Sequence, residues 1–227
     1  MNPDFRRDFT RIAAATVRDA ARYQAALLAD VAGRRGTLNG RIQPLDRSMR
    51  CAGPALTIEV RPGDNLMIHA ALTFARPGDV LVIDGKADLS CALMGAIMMN
   101  QCKARELAGV VIDGAVRDVE ELLELGFPVF CAGANPNGPT KYQPGRVNWP
   151  ISIGGVAVQP GDLVVGDADG VVIVERERAA SLIPLVQAKL DDETKRIASI
   201  KQGNAATPGW LEPALRAAGV LDEGEPL

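Results

Sequence analysis

Aromatic residues are scarce in this chain, at 4% of 227 residues, and histidine occurs once, as His69. With so few rings there is no stacking platform for bases. A single histidine rules out a histidine-rich zinc site, and it rules out a Ser-His-Asp triad built without His69. No charge of one sign dominates: 25 Lys and Arg stand against 28 Asp and Glu, a formal net charge of −3. Nothing electrostatic therefore recommends a nucleic-acid groove. Uninterrupted apolar runs long enough to span a bilayer are missing. The opening Met-Asn-Pro-Asp-Phe-Arg-Arg-Asp alternates charges and has no apolar core, so it is not a secretory signal. Cys51, Cys91, Cys102 and Cys131 lie far apart with no Cys-x-x-Cys pair, which reads as reduced core thiols and not as a disulfide frame. The expectation is a cytoplasmic protein with neither nucleic acid nor membrane among its partners.

What is present is an α/β alternation followed by short strands. About Phe5 to Val31 reads as one or two helices, rich in Ala and Leu. A strand near Ala55–Val60, a helix from Asp64 to Ala75 and a strand at Val80–Ile83 follow. Then come a helix near Leu93–Leu107, a strand at Val110–Ile112, a helix from Val119 to Leu125 and a strand at Pro128–Cys131. This order favours layered α/β architecture with a partly parallel sheet. Beyond the loop Gly133–Pro144, short strands at Ile151–Ile153, Val156–Val158, Leu163–Val165 and Val171–Val174 alternate with turn signals, predicting a meander or small barrel-like sheet. Arg178 to Gln202 reads as a long helix kinked at Pro184, and a short helix follows at Trp210–Ala218. The whole is expected to be one domain, with a helical segment over 1–50, a core over 51–175 and a C-terminal helix and tail over 176–227.

Chemistry concentrates in Val110-Val-Ile-Asp-Gly-Ala-Val-Arg-Asp-Val-Glu-Glu121, an apolar run that ends in a cation beside acids. A carboxylate next to a guanidinium at a strand-to-helix junction can hold a hard cation and an anionic substrate together. Asp118-Val-Glu-Glu121 also has the spacing of a capping box, in which Asp118 would accept an amide of its own helix. Pro-Gly-Asp occurs at Pro62, Pro77 and Pro160, and reads as a reused turn. Asp84 and Asp113, each before a glycine, read as turn formers. His69 lies one helical turn beyond Asn65, as a structural residue or as an acid or base. Asp167 and Asp169 read as a hairpin turn and not a calcium loop. Of the lysines, Lys86, Lys103 and Lys141 do not sit in apolar strands, which argues against Schiff-base chemistry.

Taken together, Pro62-Gly-Asp-Asn-Leu-Met-Ile-His69, Val110–Asp118 with Glu121, Gly126-Phe-Pro-Val-Phe130, Val147-Asn-Trp-Pro-Ile151 and Pro160–Val174 resemble the 4-hydroxy-4-methyl-2-oxoglutarate aldolases, which share their fold with the RNase E regulator A proteins. The resemblance runs from about Cys51 to Val174. It implies an αββα sandwich around a central mixed sheet or small barrel, with a long C-terminal helix, assembled as a trimer or hexamer. By resemblance, Asp118 ligates Mg2+ or Mn2+ and Arg117 pairs with the oxo or enolate oxygen of a small 2-oxo acid. The backbone at Gly95, Ala96, Ile97 and Met98 receives its carboxylate. Lys141, in the Asn-Gly-Pro-Thr-Lys loop, is read separately as a contact for a distal carboxylate. A glutamate from the next subunit's C-terminal helix completes such sites, and Glu193 is the nearest equivalent. The implied activity is class II pyruvate aldol cleavage, with oxaloacetate decarboxylation on the side. One departure stands out: the family's aldolases commonly carry an acid where this chain has Ala96. That keeps open a non-catalytic regulator of a ribonuclease, or a decarboxylase of another oxo acid.

Overall fold

The structure, a computed structural model, describes residues 4–222 and 224–227. In chain order its elements are helices α1 (Ala14–Ala20) and α2 (Ala25–Val31), strands β1 (Gln43–Pro44) and β2 (Cys51–Glu59), helix α3 (Leu66–Leu72), strand β3 (Val80–Met94), helix α4 (Ala96–Ala104), strand β4 (Gly109–Val116), helix α5 (Val119–Leu125) and strand β5 (Val129–Ala134). Strands β6 (Arg146–Val147), β7 (Ile151–Ile153), β8 (Val156–Val158), β9 (Leu163–Asp167) and β10 (Gly170–Val174) follow, then helices α6 (Arg176–Lys201) and α7 (Leu211–Ala217). Contacts divide the chain into a unit that ends at Val186 and another that starts at Gln187.

The first unit carries one mixed sheet in the order β1-β5-β4-β3-β2-β9-β10, with β6 beside β2. Strands β2 to β5 run parallel, as the α/β alternation predicts; β9 extends the same sheet antiparallel to β2, and β10 follows antiparallel to β9. The later strands therefore do not form a meander of their own; only β7 and β8 stand apart, as a hairpin. Every residue of β4 is buried, which is why it reads as a continuous apolar run and not as an alternating one. One face packs Ile58, Leu81, Ile83, Ile112 and Val129 against α3, α4 and α5. The other encloses Val82, Val111, Phe130, Val164 and Val171. A Cβ at Gly166 on β9 would stand 2.6 Å from Phe130 Cζ on β5, so the sheet curls until non-neighbouring strands touch.

Several boundaries move. The N-terminal helices begin only at Ala14. The strand starting at Val110 does not stop at Asp113-Gly114 but continues to Val116, so Arg117 and Asp118 come directly off its end. Asp113 is a strand residue and no turn former: it receives both Arg41 Nε (2.9 Å) and Nη2 (2.6 Å), plus the Gly154 amide (3.1 Å). Asp84 does form a local turn, accepting the Lys86 amide at 3.1 Å, and Lys86 and Ala87 take left-handed φ of 61° and 57°. That break interrupts the alternation within β3, which runs on to Met94 and delays α4 to Ala96. Helix α6 continues unbroken through Pro184.

The three Pro-Gly-Asp segments are turns, as read. In each, the Asp amide donates to the residue before the proline (Arg61, Arg76 and Gln159, at 3.0, 3.0 and 3.1 Å), and the glycine has φ of 71°, 84° and 89°. Proline second and a positive-φ glycine third are what a type II turn requires. In the second unit, Lys189 pairs with Glu193 (3.0 Å) and Arg216 with Glu212 (2.6 Å), both at i,i+4. Among the described residues no helix is long and apolar enough to cross a membrane. All four cysteines are free and buried, and burial pushes the thiols of Cys51 and Cys102 up to about 12, so neither ionises readily.

Candidate active site

The end of β4 does not behave as its sequence pattern suggests. Asp118 adopts a left-handed conformation (φ 59°, ψ 43°), and its side chain makes no bond to the first turn of α5. The capping-box reading is therefore wrong. Instead Oδ2 reaches across to accept the amide of Ala96, at 2.9 Å, on a different helix. Arg117 lies alongside, its Nε 3.7 Å from the same oxygen, with its own amide held by Met94 O at 3.0 Å. A non-glycine residue at positive φ persists only when its surroundings hold it there, and aspartate is among the few that tolerate the region.

Two glycines make room for this pair. A Cβ on Gly95 would fall 2.3 Å from Asp118 Oδ2 and 2.9 Å from Arg117 Cγ. One on Gly138 would fall 2.8 Å from Arg117 Nη1. Neither requirement was visible beforehand, because each depends on a side chain arriving from elsewhere in the chain.

Gly95 is the N-cap of α4, and the first helical bond runs from the Met99 amide to Gly95 O at 3.1 Å. The amides of Ala96, Ile97 and Met98 thus have no partner within the helix. Asp118 takes that of Ala96, and unpaired amides at a helix start are groups that can receive an anion. Ile97 itself is 75% exposed.

The opposite wall is organised by Asp64, the last residue of the Pro62-Gly63-Asp64 turn. It is only 1% exposed. Its Oδ1 accepts the Leu66 amide (2.9 Å), which starts α3; its Oδ2 accepts the Thr140 hydroxyl (2.7 Å) and the amides of Tyr142 (2.7 Å) and Gln143 (3.1 Å). Burial pushes its pKa up, but the hydrogen bonds from Tyr142, Leu66, Thr140 and Gln143 outweigh it, and the carboxyl stays below the usual range. One carboxylate thereby ties α3 to the loop that carries Pro139 and Lys141. Asn65 and His69 lie one turn apart on that helix, as their spacing predicts. Burial, and then the charge of Lys141, hold His69 below its ordinary pKa, so the imidazole is neutral at pH 7.

These pieces meet around a cavity of about 160 Å³, lined by Asn65, His69, Met98, Arg117, Asp118 and Lys141 among others. That is close to the ~150 Å³ of a void that admits a six-membered ring, so it suits a small acid. Gly95, Ile97 and Met98, assigned from the sequence, line it too. Glu193 belongs to the second unit and pairs there with Lys189.

The donor set can be tested against a divalent cation. No group of three or more His, Cys, Asp and Glu side chains that could hold a metal exists among the described residues. A zinc cage is therefore unsupported. A lone carboxylate does suit Mg2+, or Mn2+, which is content with one or two protein oxygens and keeps water or substrate oxygens elsewhere. The Asp118 side chain is 35% exposed, so solvent reaches it.

A curled mixed sheet with an Arg-Asp pair at a strand end, beside the N-terminus of α4 and a small cavity, defines the class of α/β protein to which the chain belongs. The family description "RraA-like: Aldolase/RraA" matches residues 14–173, and the chain belongs to that family. A relative from Halalkalibacterium halodurans, provisionally named 4-hydroxy-4-methyl-2-oxoglutarate aldolase, is 39% identical over 175 residues, 77% of this chain and 83% of its own. A Burkholderia mallei protein of the same provisional name is 36% identical over 131 residues, 58% of this chain and 79% of its own. Among solved structures, Streptomyces coelicolor RraAS2, described as an unusual member of the RNase ES inhibitor RraA protein family, superposes with a TM-score of 0.74 at 29% identity, covering 85% of this chain and 98% of that one. The relatives thus include both aldolase-named proteins and an RNase inhibitor family.

Proposed function

We propose that this chain is a divalent-metal-dependent pyruvate aldolase, cleaving a 4-hydroxy-2-oxo di- or tricarboxylic acid to pyruvate and a second oxo acid. The observation that carries the reading is the Asp118 carboxylate, lying across Gly95 beside Arg117 at the edge of a cavity instead of capping its own helix. Asp118 would hold Mg2+ or Mn2+, whose chemistry when bound is that of a Lewis acid toward the substrate's carboxylate and 2-oxo oxygens, worth several kcal/mol. The amides of Ile97 and Met98 orient the substrate carboxylate. Arg117 faces the C2 oxygen, where negative charge collects as the C3–C4 bond breaks; an aimed donor of this kind contributes about 3–4 kcal/mol. Lys141 stands on the loop side for a distal carboxylate. Glu193 would complete the site of a neighbouring subunit in a homotrimer or homohexamer. Oxaloacetate decarboxylation, which leaves the same enolate, is the expected side activity.

A lactate-dehydrogenase-coupled assay with Mg2+ should register pyruvate from both a 4-hydroxy-2-oxo diacid and oxaloacetate, and EDTA should silence it. Arg117→Ala and Asp118→Ala should each lower the rate at least 100-fold with the circular dichroism spectrum unchanged. An Asp118→Ala protein with undiminished, metal-dependent turnover would refute the site. Ala96 favours a second reading, a ribonuclease-binding regulator, in line with structural neighbours described as an RNase ES inhibitor family member and an RNA-processing inhibitor. Capture of a ribonuclease without pyruvate release from either substrate would decide for it.

A further inference from the structure

Two residues that line the cavity each carry a buried polar atom with no protein partner, and their setting limits what they can take. Asn65 is only 3% exposed, yet its Oδ1 is buried without a hydrogen bond, as is Nε2 of His69. An asparagine at a helix N-cap normally turns its oxygen onto the first-turn amides. Here it makes no such bond, and Asp64 supplies one to Leu66 instead. The amide of Asn65 is pinned the other way: Nδ2 donates to Leu93 O at 2.9 Å and contacts Met98 Sδ at 3.3 Å. With both hydrogens committed, Oδ1 is left as a pure acceptor that requires a donor. Leaving such an atom dry costs free energy unless a ligand satisfies it. The neighbour one helical turn along is the chain's sole imidazole, lining the same cavity as Arg117 and Asp118.

We infer that Asn65 and His69 form the subsite for the substrate's C4 hydroxyl, with Asn65 Oδ1 orienting the group and His69 Nε2 accepting its proton as the C3–C4 bond breaks. This rests on the aldolase reading above. In the step, the O–H electron pair becomes the second C4–O bond. The C3–C4 pair becomes the C2–C3 double bond of the enolate, the C2=O π pair moves onto the C2 oxygen, and the proton rests on His69 until it passes to water, which also supplies the proton that C3 takes up. The charged groups that line the cavity with the imidazole are Lys141 from the loop and Arg117 and Asp118 from the end of β4; α3 itself contributes no other ionisable group. Burial, and then the charge of Lys141, disfavour the imidazolium, which keeps the ring in its proton-accepting form at neutral pH.

Oxaloacetate offers the discriminating control, because its decarboxylation reaches the same enolate with no C4 hydroxyl to deprotonate. With Mg2+ present, His69→Gln should lower kcat for the 4-hydroxy-2-oxo diacid by 100-fold or more, the usual range for a lost general base. Its oxaloacetate rate should stay within threefold. Asn65→Ala should raise KM for the hydroxylated substrate and leave that for oxaloacetate unchanged. Since the chain has one histidine, its imidazole proton resonance can be followed alone by NMR. Its midpoint should fall below 6.5, and cleavage should decline with falling pH through that midpoint while decarboxylation does not follow it. Parallel loss of both activities in His69→Gln, or loss of neither, overturns this assignment while leaving the aldolase reading intact. A wild-type protein silent on both substrates sinks the aldolase reading and this subsite with it.

Discussion

An added methyl group at Gly95 would stand 2.3 Å from the Asp118 carboxylate, although the Gly95 backbone (φ −146°, ψ −166°) is one any residue can adopt. The strain of Gly95→Ala therefore falls on the site and not on the fold. We expect pyruvate release to drop about 100-fold, the scale of a roughly 1 Å misplacement of a catalytic group, with the melting temperature within a few degrees of wild type. A coupled assay beside a thermal melt checks both halves. The pair Arg117-Asp118 could be read in the sequence because an apolar strand ran straight into it. The orientation of Asp118 could not. Asp-Val-Glu-Glu is a capping pattern locally, and what overrules it is the Ala96 amide, 22 residues away.

At the scale of elements, a Pro-Gly-Asp turn serves three ends through one geometry, since its aspartate is delivered buried each time. Asp64 fastens α3 to the 139–143 loop, so Asp64→Ala should loosen the Lys141 wall while leaving buried amides unpaired. The expected loss of stability is about 3 kcal/mol, as for lost bonds to a charged group, measured by urea denaturation at pH 7. The sign of its pH dependence follows from the depressed pKa. The stabilisation is complete above the unfolded value of about 3.9 and drains away as pH falls through the lower folded value. Thermal melts between about pH 5 and pH 2 should accordingly be steeper for wild type than for Asp64→Ala. The turn and the helical pairing of Asn65 with His69 were legible, because both are local. The partners of Asp64 were not, lying 76 to 79 residues on. Likewise β3 was read as ending at Ile83, because the left-handed pair Lys86-Ala87 breaks the alternation that marks a strand.

For the molecule as a whole, the parallel half of the sheet was readable from alternating helices and strands. The return of β9 to the flank of β2 was not, since no local signal tells which edge a distant strand will choose. The first unit is also fastened at its start. Arg11 donates from Nε and Nη2 to the two oxygens of fully buried Asp79, at 2.7 Å each. Removing one partner of a buried pair leaves an uncompensated charge, so Arg11→Ala should cost about 3–5 kcal/mol. A urea midpoint indistinguishable from wild type would contradict it. Every wall of the cavity, finally, comes from the unit that closes at Val186. Limited proteolysis of the tail becomes a subtraction: whatever talent a clipped protein forfeits must have been lent by the severed piece, and whatever it retains was native to the sheet.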